Sequence, residues 1–361
     1  MTDPVRLTRA DLDALPSYVP GRNPADLARE LGLPEAIKLA SNEVPYGPLP
    51  GVPEAVAEAA AGAHRYPDMG VVALREVLAE RYGVTVDRIA TGCGSVGLCE
   101  HLARATCLPG DEILYSWRSF EAYPIIVATT GASSVRVANT AGHGHNLAAM
   151  AAAITEQTRM VLVCNPNNPT GTAVRRAELD RFLATVPGDV LVVIDEAYRE
   201  FVTDPDVPDA LEAYGDRPNV VVLRTLSKAW GLAGLRIGFM VGAPEVAAAV
   251  RKVVTPFSTS SAAQAGALAA LRQADEVRRR CALVVSERTR LTSALRDLVP
   301  DVPESQANFV WLPLGDQSAT FGAACEKHGV IVRPFPGEGV RVTVGTPTEN
   351  DAFLAAARSA L

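Results

Sequence analysis

The stretch "VVVLRTLSKAWGLAGLRIGFMVG", residues 220–242, decides how this chain is read. It opens on "VVVLRT" (220–225), apolar up to Arg224 and Thr225, and closes on the apolar run 237–242, runs of the kind shown by a strand buried on both faces. Between the runs, in an otherwise apolar setting, stand Lys228 and Arg236. A lysine ammonium buried without a partner is expensive, so Lys228 has to be paired, neutral or used in covalent chemistry.

Upstream, the runs "EILYS" (112–116), "MVLVCN" (160–165) and "VLVVIDE" (190–196) repeat the pattern, with helical stretches between them. That alternation predicts an α/β fold: a large domain with a mostly parallel central sheet, its last run, 237–242, open to an antiparallel placement. Downstream, a helix is expected at 244–253, and one long bridging helix at about 260–297, stopped by the prolines of "LVPDVP". "NFVWLPL", "GVIVRPF" and "GVRVTVG", with a helix at about 318–328, read as a small α+β domain. The Pro- and Gly-rich start reads as an arm joining that small domain. The expected division is 1–40 for the arm, 41–255 for the large domain, and 256–361 for the bridging helix and small domain.

A chain of 361 residues can bury a large core without covalent staples. Its formal charge of −7 carries no long single-sign block, which argues against nucleic acid as a partner. No apolar run approaches the roughly 18 residues of a membrane span, and the start lacks a signal-peptide core, so a cytoplasmic protein with no membrane partner is expected. The six cysteines form no CxxC pair and the five histidines no zinc-type spacing, so the thiols are expected to be reduced and no metal is expected. His143 and His145 in "AGHGHN" read as part of a solvated glycine loop.

In open α/β sheets, ligands sit outside the carboxyl ends of the strands. Three runs end in chemistry there: "NPNNPTG" (165–171), "DEAY" (195–198) and "TLSK" (225–228). Singly, each has a plain structural use, as a turn, a helix N-terminus or a surface lysine. Together they set an amide, a carboxylate with a phenol, and a lysine on one sheet edge. A Schiff base with pyridoxal phosphate needs that set: the lysine amine holds the aldehyde carbon and moves protons, and the carboxylate keeps the pyridine nitrogen protonated. Arg236 then has a partner in the phosphate, helped by Thr225, Ser227 and the turn "TGCGSVGLC" (91–99), where the N–H groups of Ser95 and Val96 open a helix toward the anion. That turn matches neither a Rossmann fingerprint nor a P-loop.

"KLASNE", "RYPD", "NPNNPTG", "DEAY" and "TLSKAWGLAGLRIGF" together resemble the fold-type I aminotransferases, specifically the histidinol-phosphate aminotransferase group, over nearly the whole chain. Within it, "GCGSVGLCEHL", "WRSFEAYP", "SQANFVWLPLG" and "VRVTVGTPTENDAFL" look most like the actinobacterial aromatic amino acid aminotransferases. The resemblance implies that Lys228 forms the internal aldimine and that Asp195 pairs with the pyridine nitrogen. It implies that Asn168 and Tyr198 hydrogen-bond the ring oxygen and that Phe120, rather than Trp117, stacks on the ring. Tyr66 would reach the phosphate in a neighbouring subunit's site, which implies a homodimer. Arg341 would bind the substrate carboxylate, with Arg333 as a second cation, and Tyr18 and Asn42 would close over the substrate.

Many relatives carry acids where this chain has Val96 and Gly97, a departure that favours the aromatic subgroup. The expected reaction is ping-pong transamination of phenylalanine, tyrosine or tryptophan with 2-oxoglutarate. The alternative is transamination of histidinol phosphate, whose phosphate would need cations beyond Arg333 and Arg22. A decarboxylase or lyase on the same scaffold stays open. A sensor fused to a DNA-binding domain is set aside, because few residues precede "KLASNE" and the balance is acidic.

Overall fold

A computed structural model of the chain describes residues 7–9, 13, 15 and 21–361. In chain order its strands are β1 (Ile37–Lys38), β2 (Ile89–Gly92), β3 (Glu112–Trp117), β4 (Ser133–Ala138), β5 (Thr158–Cys164) and β6 (Leu191–Asp195). They continue with β7 (Val220–Thr225), β8 (Gly238–Val241), β9 (Phe309–Gly315), β10 (Val330–Ile331), β11 (Arg333–Phe335) and β12 (Glu338–Thr343). Seven form the central sheet in the order β2-β8-β7-β6-β5-β3-β4. Only β8 runs against its neighbours there, while the β7-β6-β5-β3-β4 pairs are parallel.

The apolar runs are continuous because both faces of this sheet are covered. Val161, Val163, Val192, Ile194, Val220 and Val222 pack into the core on one face. The intervening Met160, Leu162, Leu191, Val193, Val221 and Leu223 pack into a second core on the other. Each such side chain, fully buried, stabilises the fold by about 1.5–3 kcal/mol relative to exposure. Two strands of this sheet escape the sequence reading. β2 is four residues ending in glycine, and β4 is an edge strand with exposed or half-buried side chains.

The single long helix expected at 260–297 is instead two, Ser261–Leu271 and Ala274–Arg296, interrupted at Arg272 and Gln273. Neither glycine nor proline marks the break. The first piece packs closely on helix Val52–Ala61, and the second runs on to contact β9 and helix Pro347–Ala360. His145 is also corrected: it is buried, and its Nε2 donates to the carbonyl of Cys164 at 2.7 Å rather than facing solvent. Burial lowers its pKa to about 4, so it is neutral.

A second, antiparallel sheet has the order β11-β12-β9, with Arg333 directly opposite Arg341. β1 pairs in parallel with β10, through Ile37 with Val330 and Lys38 with Ile331. The segment before it is tied to the same region by Arg22, which donates to Glu326 at 2.9 Å and also to Glu30. All six cysteines are free thiols, no described helix is long and apolar enough to cross a membrane, and no cluster of potential metal ligands occurs among the described residues.

Candidate active site

The carboxyl ends of β5, β6 and β7 lie side by side, and each delivers its residues to one cavity: Asn168 beyond β5, Asp195 and Tyr198 from β6, Thr225, Ser227 and Lys228 from β7. The loop after β5 is closed by its own first residue. Asn165 Oδ1 accepts from the Val174 N–H at 2.7 Å, and Asn165 Nδ2 donates to the Val174 carbonyl at 3.3 Å. Its last residue has to be glycine: Gly171 has φ +74°, and a Cβ there would lie 2.3 Å from Ser305 Oγ. Behind β6, the buried Arg224 bridges Glu196 at 2.7 Å and Asp209 at 2.8 Å, pinning the end of β6 to β7.

Lys228 donates from Nζ to the Ser41 carbonyl at 3.1 Å and has no carboxylate in contact. Burial, with the repulsion of Arg341 and Arg236, lowers its pKa from 10.5 to about 7. A large fraction of the amine is therefore neutral, and nucleophilic, near neutral pH. Asp195 is buried, and burial raises its pKa to about 6 against the pull of its hydrogen bonds and of Lys228. Its Oδ2 accepts from Tyr123 Oη at 3.0 Å, while Oδ1 is buried with no hydrogen-bond partner. Such an oxygen is costly unless a ligand donates to it.

Arg236, at φ 57°, bends its guanidinium back: Nη1 donates to Ser227 Oγ at 3.2 Å and to the Ala233 carbonyl at 3.1 Å. Gly94 makes room for it, since a Cβ there would sit 2.6 Å from Arg236 Nη2. Helix Gly94–Thr106 starts at that point with no side-chain cap, so the N–H groups of Ser95 and Val96, with Arg236 and Ser227, form a site for an anion. Tyr198 Oη accepts from Asn42 Nδ2 at 2.9 Å, which leaves the phenolic proton free to donate. Asn168 Oδ1 accepts from Arg341 Nη1 at 2.6 Å, which leaves its Nδ2 as a donor.

Arg341 also donates from Nη2 to the Ala40 carbonyl at 2.5 Å. Arg333 lines the cavity too, but it is paired with Glu121 at 3.0 Å. Those partners offset the repulsion of two arginines directly opposite one another in the sheet. Phe120 lines the cavity and meets Tyr123 edge-on at 5.5 Å. Asn42 lines it as well, but it is 1 % exposed and its amide is engaged by Tyr198 and Thr343.

Two residues named from the sequence do not line this cavity: Trp117, set second to Phe120 as a stacker, and Tyr66, assigned to a neighbouring subunit's site. Trp117 is outside the cavity, with the guanidiniums of Arg118 and Arg136 4.5 and 4.7 Å from its ring centroid. Tyr66 is 82 % exposed and stacks on Phe257 at 4.5 Å. Tyr18 lies outside the described residues. Sequence reasoning missed Tyr123, whose only signal is its place three residues after Phe120, and the Ser41 carbonyl, which no side-chain pattern announces.

Residues 34–356 match the profile described as aminotransferase class I and II. The chain belongs to that family. This aminotransferase is 57% identical over 346 residues, 96% of its length and 95% of theirs, to proteins of Streptomyces avermitilis and of Streptomyces coelicolor, each described as an aromatic amino acid aminotransferase. Among solved structures it is similar to the histidinol-phosphate aminotransferase of Sinorhizobium meliloti in complex with pyridoxal 5'-phosphate. The TM-score is 0.87 and the identity 27%, over 99% of this chain and 98% of that one. The fold expected from the resemblance, fold type I of the pyridoxal-phosphate-dependent transferases, is the fold that this aminotransferase has.

Proposed function

We propose that this aminotransferase holds pyridoxal phosphate in the cavity and transfers the amino group of phenylalanine, tyrosine or tryptophan to 2-oxoglutarate in a ping-pong cycle. The observation that carries the reading is the pairing, in one cavity, of a lysine with pKa lowered to about 7 and a buried carboxylate oxygen without a partner. The residues present fit the group. Asp195 Oδ1 suits a pyridinium N–H, the Tyr198 proton and Asn168 Nδ2 suit a ring oxygen, and Arg236 with the helix start at Ser95 suits a phosphate. When bound, the cofactor supplies an aldehyde carbon to take the amino group and a protonated ring to withdraw electrons.

The chain's own residues do the rest. The Arg341 guanidinium would bind the substrate carboxylate, Phe120 would pack against the ring of the cofactor, and Lys228 would take the proton from the substrate α-carbon and deliver it across the nitrogen to the cofactor's aldehyde carbon. The aromatic preference is supported by the two Streptomyces relatives and by the state of the cations. A distal phosphate would need free positive charge, yet Arg333 is paired with Glu121, and Arg22 with Glu326 and Glu30. The test is a half-reaction titration with phenylalanine, tyrosine and histidinol phosphate, following the absorption of the bound cofactor. Conversion by the aromatic amino acids at least ~100-fold faster than by histidinol phosphate is expected, the floor set by pocket shape alone. The reverse order would sink the specificity.

Tyr66, Met69 and Phe257 expose apolar side chains beside one cleft, and a second copy of the chain is proposed to cover them, with Tyr66 reaching the partner's phosphate site. Light scattering should report twice the chain mass, and Tyr66→Glu should shift the protein toward monomer. A monomer at all concentrations would overturn the dimer.

A further inference from the structure

The Asp195 carboxylate is held by one phenol that no part of the reaction scheme uses. Tyr123 sits in helix Ala122–Thr130, is fully buried, and donates from Oη to Asp195 Oδ2 at 3.0 Å. Its ring meets Phe120 edge-on at 5.5 Å and Tyr115 at 5.6 Å, so the ring plane is fixed from two sides. A buried phenol so clamped has little freedom to swing its hydroxyl elsewhere.

We propose that Tyr123 is a positioning residue for the cofactor ring: by occupying Oδ2 it turns Asp195 so that Oδ1 alone is presented to the pyridinium N–H. This rests on the reading of the cavity as a pyridoxal phosphate site. Three observations support it. The two carboxylate oxygens are unequal, one with a donor and one orphaned, and the orphan belongs to the residue that lines the cavity. The donor's direction is settled chemically: burial raises the Tyr123 pKa well above the ordinary value, so the phenol keeps its proton and gives the hydrogen bond. The same bond favours the ionised carboxylate against the effect of burial, the form needed opposite a cation. Because Tyr123 also touches Phe120, one side chain ties the carboxylate that would pair with the ring nitrogen to the side chain that would pack against the ring.

Tyr123→Phe keeps the ring and its contacts and removes only the donor, so the fold should survive, as a thermal melt would verify. The readout is the affinity of cofactor-free full-length protein for pyridoxal phosphate and for its carba-analogue, in which the ring nitrogen is replaced by C–H, followed by absorption and by quenching of protein fluorescence. The expected result is about a tenfold loss for pyridoxal phosphate, the scale of one charge-assisted hydrogen bond, with less than a twofold change for the analogue. A general loosening of the pocket would weaken both ligands equally, and that outcome overturns the proposal, as does no change for either. Asp195→Asn supplies a second variant: in that background Tyr123→Phe should cost nothing further, and additive losses would count against the coupling. If the unsubstituted protein binds no pyridoxal phosphate, the cofactor reading fails and this inference falls with it; binding with no ligand-dependent difference overturns the inference alone.

Discussion

Lys228→Met is expected to lower transamination by about four orders of magnitude or more, and at the same time to stabilise the cofactor-free chain. Methionine matches the length of the side chain but can neither capture an aldehyde carbon nor carry a proton, and those two roles together are worth at least ~10⁴-fold. A residual single-turnover rate within tenfold of the unsubstituted protein would remove Lys228 from the chemistry. The stability gain follows from the lowered pKa, from 10.5 to about 7. Below pH 7 the amine is protonated in both the folded and the unfolded chain, and the folded state bears the whole cost of burying the ammonium. Between pH 7 and 10.5 the unfolded chain binds more protons than the folded one, so stability rises with pH. Above 10.5 both are neutral and the cost is gone. With allowance for partial exposure of Lys228, Lys228→Met should be about 1–2 kcal/mol more stable at pH 7. The difference should vanish toward pH 10.5. A gap in denaturant midpoints that does not close with pH would mean that packing, not charge, explains it.

Asp195→Asn should lower kcat by about 10²–10³-fold while leaving the fold intact. The substitution keeps the shape but deletes the negative charge, and one preorganised electrostatic partner at a site where charge develops is worth about that much. Stability should hold because Asp195 is itself costly to bury, as its pKa of about 6 records, and a neutral amide avoids that cost. A loss of less than tenfold in kcat would mean that the ring does not rely on Asp195 for its protonation. A collapse of the melting temperature would instead make the carboxylate structural.

Much of the site is legible in the sequence because catalytic side chains in this architecture cluster just past the ends of strands, where apolar runs stop and polar residues begin. Asn168, Asp195, Thr225, Ser227 and Lys228 all stand within a few residues of such a boundary. Arg236 is legible as the cation that such a cluster needs. Tyr123 is not, because a tyrosine inside a helix gives the same sequence signal whether it fills a core or holds a carboxylate. The broken helix at Arg272 was hidden for a related reason. The interruption lets one piece lie on helix Val52–Ala61 and the next turn toward β9, and no local residue records that demand.

By itself the sequence determined the α/β class, the parallel runs, the lysine with its carboxylate and amide, and the arginine that answers an anion. These follow from short-range chemistry: apolar periodicity, turn residues and the cost of burying charge can be read within a few positions of each residue. Only the tertiary structure decided that Arg333 is paired with Glu121, that Asn42 holds Tyr198, and that Asp195 keeps one oxygen partnered and the other open. Each depends on a partner far away in the chain, and the energy of a buried polar group is set by whichever partner the packing brings within hydrogen-bonding distance.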